Sequence, residues 1–482
     1  MTKVVAARRA LVAIALAGLI AAGLAALPDA QRPAEARRDA RPGPVVAHYE
    51  GGVKAPVAKL PRAVNLPTRG FDSAEPTLGF TSDGSAFYAA ADLDGYGGPV
   101  PNQVKVIKST DEGRSWADVS PALGPNRRHV VTLDPYVYVD EWTDRVFTID
   151  LTVACSLLSF SDDGGANWTT NPLACGIPVN DHQTLFSGPP ATSTPTGYDN
   201  VVYYCFNNIA SSTCTKSLDG GVTFVPTGAP AYEGVDVSEG GSGGLCGGLH
   251  GHGVVDKDGT VYLPREYCGA PFLAISKDEG LSWTRVRVSG KRASDGPDPS
   301  VAVDSKGNIY YAFIGRDFMP YVVYSRDGGE SWSRPIMVGP PGIKEVNLLT
   351  IDAEAPGRIA LAYMGSDNVK VTKQKGQEEP ARDYAKATWN GYVAMSVNLF
   401  DRRPLFYTGM INHPSDPLKR QRCGPGRCGR VFDFIDVEIA PDGTPYGAFT
   451  DACIDLCTTQ GLSDMGDAGL VGRLVGGPSL LR

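Results

Sequence analysis

Six acidic residues and three histidines stand just ahead of short apolar runs along this 482-residue chain: Glu75, Asp134, Asp181, Asp298, Glu345 and Asp433, with His182, His250 and His252. Only six histidines exist in the chain, so half of them fall in this set. Paired carboxylates that converge on one substrate can act as general acid and general base, as in glycoside hydrolysis. His250 and His252, two apart on an extended segment, point to one side and with His182 or an acid could hold a divalent metal. The structural alternative is that the acids, three of which precede proline in the pairs Glu75-Pro76, Asp134-Pro135 and Asp298-Pro299, cap strand amides. On that alternative the histidines bond within a Gly-rich loop.

The elements that must position these residues are announced by a repeat. A serine, an aspartate, a glycine and an aromatic residue keep one spacing five times: Ser109 to Trp116, Ser161 to Trp168, Ser217 to Phe224, Ser276 to Trp283 and Ser325 to Trp332. Their aspartates are Asp111, Asp163, Asp219, Asp278 and Asp327. Copies start about 50 to 60 residues apart, the period of a repeat architecture. Ser and Asp side chains bond turn backbone, Gly supplies a positive φ, and the aromatic residue begins the next strand and packs inward. Between the boxes lie pairs of short β-branched runs joined by turns such as Asp83-Gly84, Lys306-Gly307 and Asp442-Gly443. No helical periodicity of useful length follows the amino terminus.

Ser-x-Asp-x-Gly-x-x-Trp resembles the Asp-box, or BNR repeat, of the sialidase superfamily of β-propellers. The resemblance implies an all-β fold of four-stranded antiparallel blades, with the box aspartates structural and peripheral and ligands bound at the axial mouth. Unit starts near Glu75, Asp134, Asp181, Gly251, Asp298, Glu345 and Asp433 predict seven blades, with six as the alternative. Ring closure is expected from Arg62–Pro67 pairing with the last strand near Leu470–Val475.

Sialidases resemble one another in an arginine triad for the substrate carboxylate, a Tyr nucleophile assisted by Glu, and an Asp acid/base. Carried onto this chain, the resemblance points to Arg265, Arg316 and Arg430 as mouth arginines, Tyr267 beside Arg265, and Glu75, Asp134 and Asp298 as catalytic acids. The first-arginine motif does not occur, and Arg69 lies close before blade one. Arg69, Asp181, His182 and Asp433 complete the ligand-binding set. On a strand Arg265 and Tyr267 share a face while Glu266 points away; an edge strand ending at Cys268 is the structural alternative.

Residues 1–36 read as a signal peptide: Lys3, Arg8 and Arg9 precede an apolar run from Ala10 to Leu27, and Ala34-Glu35-Ala36 offers a cleavage site, an uncleaved anchor being the alternative. Residues 37–58 read as a disordered linker and 59–482 as the propeller, with insertions near 374–384 and 401–430. Ten cysteines in an exported chain argue for disulfides, paired by neighbourhood as Cys155 with Cys175, Cys205 with Cys214 and Cys246 with Cys268, and two more among Cys423, Cys428, Cys453 and Cys457. The net charge of −8, from 45 basic and 53 acidic side chains, speaks against nucleic acid as a partner, with Arg402-Arg403 and Lys419-Arg420-Gln421-Arg422 as local exceptions. A carbohydrate or glycoconjugate is the expected partner of a monomer with no membrane span after cleavage. Exo-glycosidase chemistry needs no cofactor; a metal-dependent lyase would use the three histidines. A non-catalytic propeller binding glycan or protein at the cell surface is the competing reading.

Overall fold

The structure is a computed structural model. It describes residues 41–92, 103–121, 134–151, 156–174, 180–208, 211–234, 246–294, 298–372, 381–421, 431, 433–453, 457 and 468–481. Arg430, Cys155, Cys175, Cys423, Cys428, the leader segment and the side chain of Arg69 lie outside that part. Among the described residues the chain is almost entirely strand, and no described helix is long and apolar enough to cross a membrane.

Antiparallel sheets follow one another around an axis. Six are four-stranded: blade one from Thr77, two from Pro135, three from Asp181, four from Val254, five from Ser300, and a closing blade from Asp436. Between the fifth and the closing blade stands a larger, seven-stranded sheet begun by Glu345–Ala353, which we count as blade six. The ring of inner strands thus has seven members, each starting within about three residues of an acidic or glycine position marked in the sequence. Closure joins the chain ends as expected. Arg62 to Pro67 pair residue by residue with Val475 to Leu470, so the first propeller strand becomes the outermost strand of the last blade and ties the chain ends together.

Each Asp-box sits between the third and fourth strands of a blade, at the end of the ring opposite the starts of the inner strands. The fifth copy shows why the spacing is needed. Ser325 Oγ donates to Asp327 Oδ1 (2.7 Å) and accepts the Gly329 amide (2.9 Å), while Asp327 Oδ1 also accepts the Ser331 amide (2.9 Å). Gly329 has φ +94°, a conformation glycine adopts without penalty, and a Cβ there would meet Ile275 Cδ1 at 2.7 Å. Trp332 then packs on a core that holds Tyr311 and Phe313.

Two segments differ from the sequence reading. Val45–Tyr49, inside the stretch expected as disordered linker, is a strand on the outer edge of blade six, paired with Leu405–Met410, because that edge offered unmet backbone groups. Leu405–Met410 is itself the fourth strand of blade six, so the insertion expected across 401–430 includes a regular blade strand. Lys370–Thr372 pairs with Ala381–Asp383 in a hairpin of its own outside the blade sheets, and residues 374–380 of the insertion expected at 374–384 lie outside the described part. The described disulfides are Cys205–Cys214, Cys246–Cys268 and Cys453–Cys457, the last selecting one pair from the set left open.

Candidate functional site at the axial mouth

The inner strands all start at one end of the ring and bring the sequence-marked residues to the axis. Near the start of three of them stands a non-glycine residue in the left-handed region: Glu75 (φ +53°), His182 (φ +51°) and Leu348 (φ +55°). Register shifts between Asp181 and Thr184 and between Asn347 and Leu349 mark bulges in blades three and six. A bulge of this kind re-aims a side chain that alternation would send elsewhere, and the strain it stores gathers at functional sites.

His182 stands at the centre. Its amide donates to Asp134 Oδ2 (3.0 Å) and its Nε2 pairs with Asp298 Oδ2 (2.7 Å). Burial works against its charge, but attraction to Asp298, and then to Asp433 and Asp134, outweighs burial and lifts its pKa to about 9. His182 is therefore a buried imidazolium at neutral pH. Phe434 stands edge-on between His182 and His252, with ring centroids 5.4 Å from each, and His252 meets Tyr136 at 4.8 Å. These rings stopper the axis. Burial and the nearby His182 charge push His252 down to about 3 and His250 well below the usual range.

The three histidines do converge, His182 and His250 lying 6.2 Å apart between ring centroids. Two of their nitrogens are otherwise engaged. His182 Nε2 holds Asp298, and His250 Nδ1 donates to the Gly251 carbonyl (3.0 Å). Among the described residues no group of three His, Cys, Asp or Glu side chains is placed to hold a metal ion. The residues present do not fit the divalent metal that the sequence allowed.

The acids divide. Glu75 Oε1 accepts the Asp433 amide (3.1 Å) and Asp134 accepts that of His182, so both stitch neighbouring blades together. Asp298 and Asp433 line the mouth pocket with His182 and His252, whereas Asp181 is solvent-exposed at the strand start. Arg265 and Tyr267 do share a face, with the guanidinium 5.7 Å from the ring, but that face is the core between blades three and four. Arg265 is 2% exposed, donates to Ser212 Oγ (3.0 Å), and burial depresses its pKa. Arg316 is half-buried on the loop after the second strand of blade five. Neither arginine lines the pocket.

Two features escaped the sequence reading. Glu345, marked as a mouth acid, is clamped by the inserted hairpin: Arg382 Nε reaches its Oε2 (2.7 Å) and the Tyr384 hydroxyl donates to its Oε1 (2.9 Å). Beyond the aromatic stopper, the axis widens into a cavity of about 380 Å³ lined by Asp352, Glu354, Asp436 and Glu438 and, among the described residues, by no lysine or arginine. Burial raises these carboxyls, Asp352 to about 6, Asp436 to about 7 and Glu354 to about 8, and repulsion from Asp352 adds to burial at Asp436, Glu354 and Glu438. Acids two apart on an inner strand, as in Asp436 and Glu438, were the signal available.

Residues 323–334, the fifth box, match the BNR/Asp-box repeat family model. A protein of unknown function from Dyadobacter fermentans shares 14% identity, with 86% of this chain and 97% of that one aligned at a TM-score of 0.43. The intramolecular trans-sialidase of Ruminococcus gnavus shares 14% over 82% and 93% (TM-score 0.37), and the α-L-arabinanase of Penicillium chrysogenum 14% over 74% and 98% (TM-score 0.41). No curated protein matches the sequence.

Proposed function

We propose that this chain carries an Asp-box propeller that is secreted and acts on carbohydrate at its axial mouth, as an exo-glycosidase releasing a terminal sugar. One observation carries the reading: the buried His182–Asp298 pair, held at 2.7 Å on the axis beside Asp433. Hydrolysis of a glycosidic bond needs a proton for the leaving oxygen and a carboxylate near the cation that develops on the sugar. His182 carries a proton at neutral pH, with Asp298 stabilising the imidazolium, and Asp433 supplies a second carboxylate in the same pocket. Water adds to the anomeric carbon, its proton passing to Asp433 as His182 protonates the departing oxygen. The arginine set of a sialidase is no part of this reading, since Arg265 is turned into the core.

Recognition without turnover is the second reading, favoured by the engagement of Glu75 and Asp134 with the amides of neighbouring blades. The purified mature protein and its His182→Gln variant, tested on a fluorogenic sialoside and a mixed panel of glycosides with and without chelator, separate the two. Turnover that the variant loses and chelator leaves intact supports hydrolysis. Silence across the panel with retained binding on a glycan array establishes recognition instead. Neither turnover nor binding overturns both.

A further inference from the structure

The inner strands start at the mouth, so the turns that follow them meet at the far end of the axis. Glu141 stands two residues past the inner strand of blade two, Glu354 one residue past that of blade six, and Glu438 one residue before the end of that of the closing blade. All three line the cavity of about 380 Å³ beyond the aromatic stopper. Trp142 and Leu481 line it as well and are 43% and 37% exposed, so it opens to solvent at that end. Protein interiors leave few voids larger than a water molecule, whereas small-molecule sites run from about 300 to 1,000 Å³. The space is thus large enough for an organic molecule and is reached without passing the mouth.

Its walls decide what would fit. Asp352 and Asp436 are met by amides: Asp352 Oδ2 accepts that of Ile439 (2.7 Å) and Asp436 Oδ2 that of Leu78 (2.9 Å). Glu141, Glu354 and Glu438 make no side-chain hydrogen bond or ion pair among the described residues. Burial raises all three, and repulsion adds to it: from Asp352 at each, from Glu141 at Glu354 and Glu438, and from Glu354 at Glu438. Three carboxyls from three blades thus repel one another across a shared space. A carboxylate or phosphate ligand would add to that repulsion. A quaternary ammonium would neutralise it but brings no N–H to these oxygens. A divalent cation needs several oxygens at about 2.0 to 2.6 Å, and among the described residues no three acidic or histidine side chains come together in that way. An aliphatic polyamine meets each requirement. Its separated ammonium groups donate to separated carboxylates, and its methylene spacers lie on apolar wall such as Phe80 and Val139. Trp142 at the opening adds an aromatic surface that attracts a cation.

We propose that the axial cavity at the Asp-box end binds a linear aliphatic polyamine, its ammonium groups held by Glu141, Glu354 and Glu438, independently of what the mouth acts on. Calorimetric titration of the intact mature protein at mildly alkaline pH with spermidine, and with octanediol as a neutral chain of the same length, tests this. Spermidine is expected to bind at least about tenfold more tightly than octanediol, and Glu354→Gln or Glu438→Gln to weaken it by about tenfold. Each variant removes one of 53 acidic side chains, so a loss of that size localises the polyamine, whereas loose attraction to the surface would hardly change. No binding of spermidine, equal binding of octanediol, or unchanged affinity in either folded variant overturns the proposal. So does calcium that displaces spermidine at equal concentration, which would make the cavity a metal site. Silence of the mouth toward every sugar leaves this inference standing. The comparison of ligands on the native protein decides the matter even where a variant does not fold.

Discussion

Replacing Asp298 by asparagine keeps the shape of the mouth but removes the counter-charge of a buried imidazolium. In the native protein the His182 pKa is raised from 6.5 to about 9. A base with a raised folded pKa adds stability that is fully present below the unfolded value and is lost as pH climbs through the folded one. The window therefore runs from 6.5 to about 9. At about 1.4 kcal/mol per pH unit, a rise of that size corresponds to about 3 kcal/mol at a site closed to solvent. Asp298 is the leading favourable contributor, with Asp433 and Asp134 behind it, so asparagine should abolish most of the effect. The axial carboxyls also make stability fall as pH rises, so the native trend alone does not isolate His182. The difference between native and Asp298→Asn proteins does. Denaturant unfolding at about pH 6 and about pH 9.5 should show the variant's deficit shrinking by about 2 to 3 kcal/mol toward the alkaline end. A deficit that stays constant across that range would refute the assignment of His182 as a buried cation held by Asp298.

Glu279, 0% exposed, accepts the Thr192 and Ser193 amides (2.7 Å each) and Lys216 Nζ (2.7 Å), tying blade four to blade three. Glu279→Ala should cost about 3 kcal/mol in denaturant unfolding, since it strands a cation and two amides; a cost near zero would show the blades need no such tie. Gly251→Ala places a Cβ 1.8 Å from the Pro299 carbonyl oxygen, backbone on both sides. A loss of about 1 to 3 kcal/mol, together with loss of sugar binding, is expected from the forced shift beside Asp298, and native-like binding would count against the mouth as the site. Glu438 is an acid raised by burial and by Asp352, Asp436 and Glu354, so its ionisation weakens the fold as pH climbs. Glu438→Gln should therefore raise the thermal midpoint above neutrality and change it little in acid; a drop at alkaline pH would contradict this.

The stopper and the cavity beyond it bear on how any ligand uses the axis. Phe434, His252 and Tyr136 close the channel between a pocket for one small group and a space of about 380 Å³. A sugar held at the mouth thus meets a floor rather than a passage.

Much of the frame was legible in the chain. Ser-x-Asp-x-Gly-x-x-Trp is a local device whose bonds all lie within eight residues, so its five copies dictated turn geometry, strand order and the repeat without help from distant partners. Closure of Arg62–Pro67 on Leu470–Val475 followed from the same count, and the pairing of Cys205 with Cys214 and Cys246 with Cys268 from their nearness in the sequence. The acids and histidines at the mouth were also visible, because residues that precede an inner strand must lie near the axis. Which of them share a partner was decided only by the assembled ring. The acceptor for the His182 amide lies 48 residues away in the neighbouring blade, and that for the Asp433 amide 358 residues away across the closure. The face of blade four that carries Arg265 and Tyr267 was correctly paired by alternation, yet whether it met the axis or the next blade depended on twist and packing. The axial carboxyls read as ordinary strand residues until seven inner strands placed Asp352 and Asp436 close enough to repel. Burial and charge at this mouth are properties of the closed circle, and no single repeat contains them.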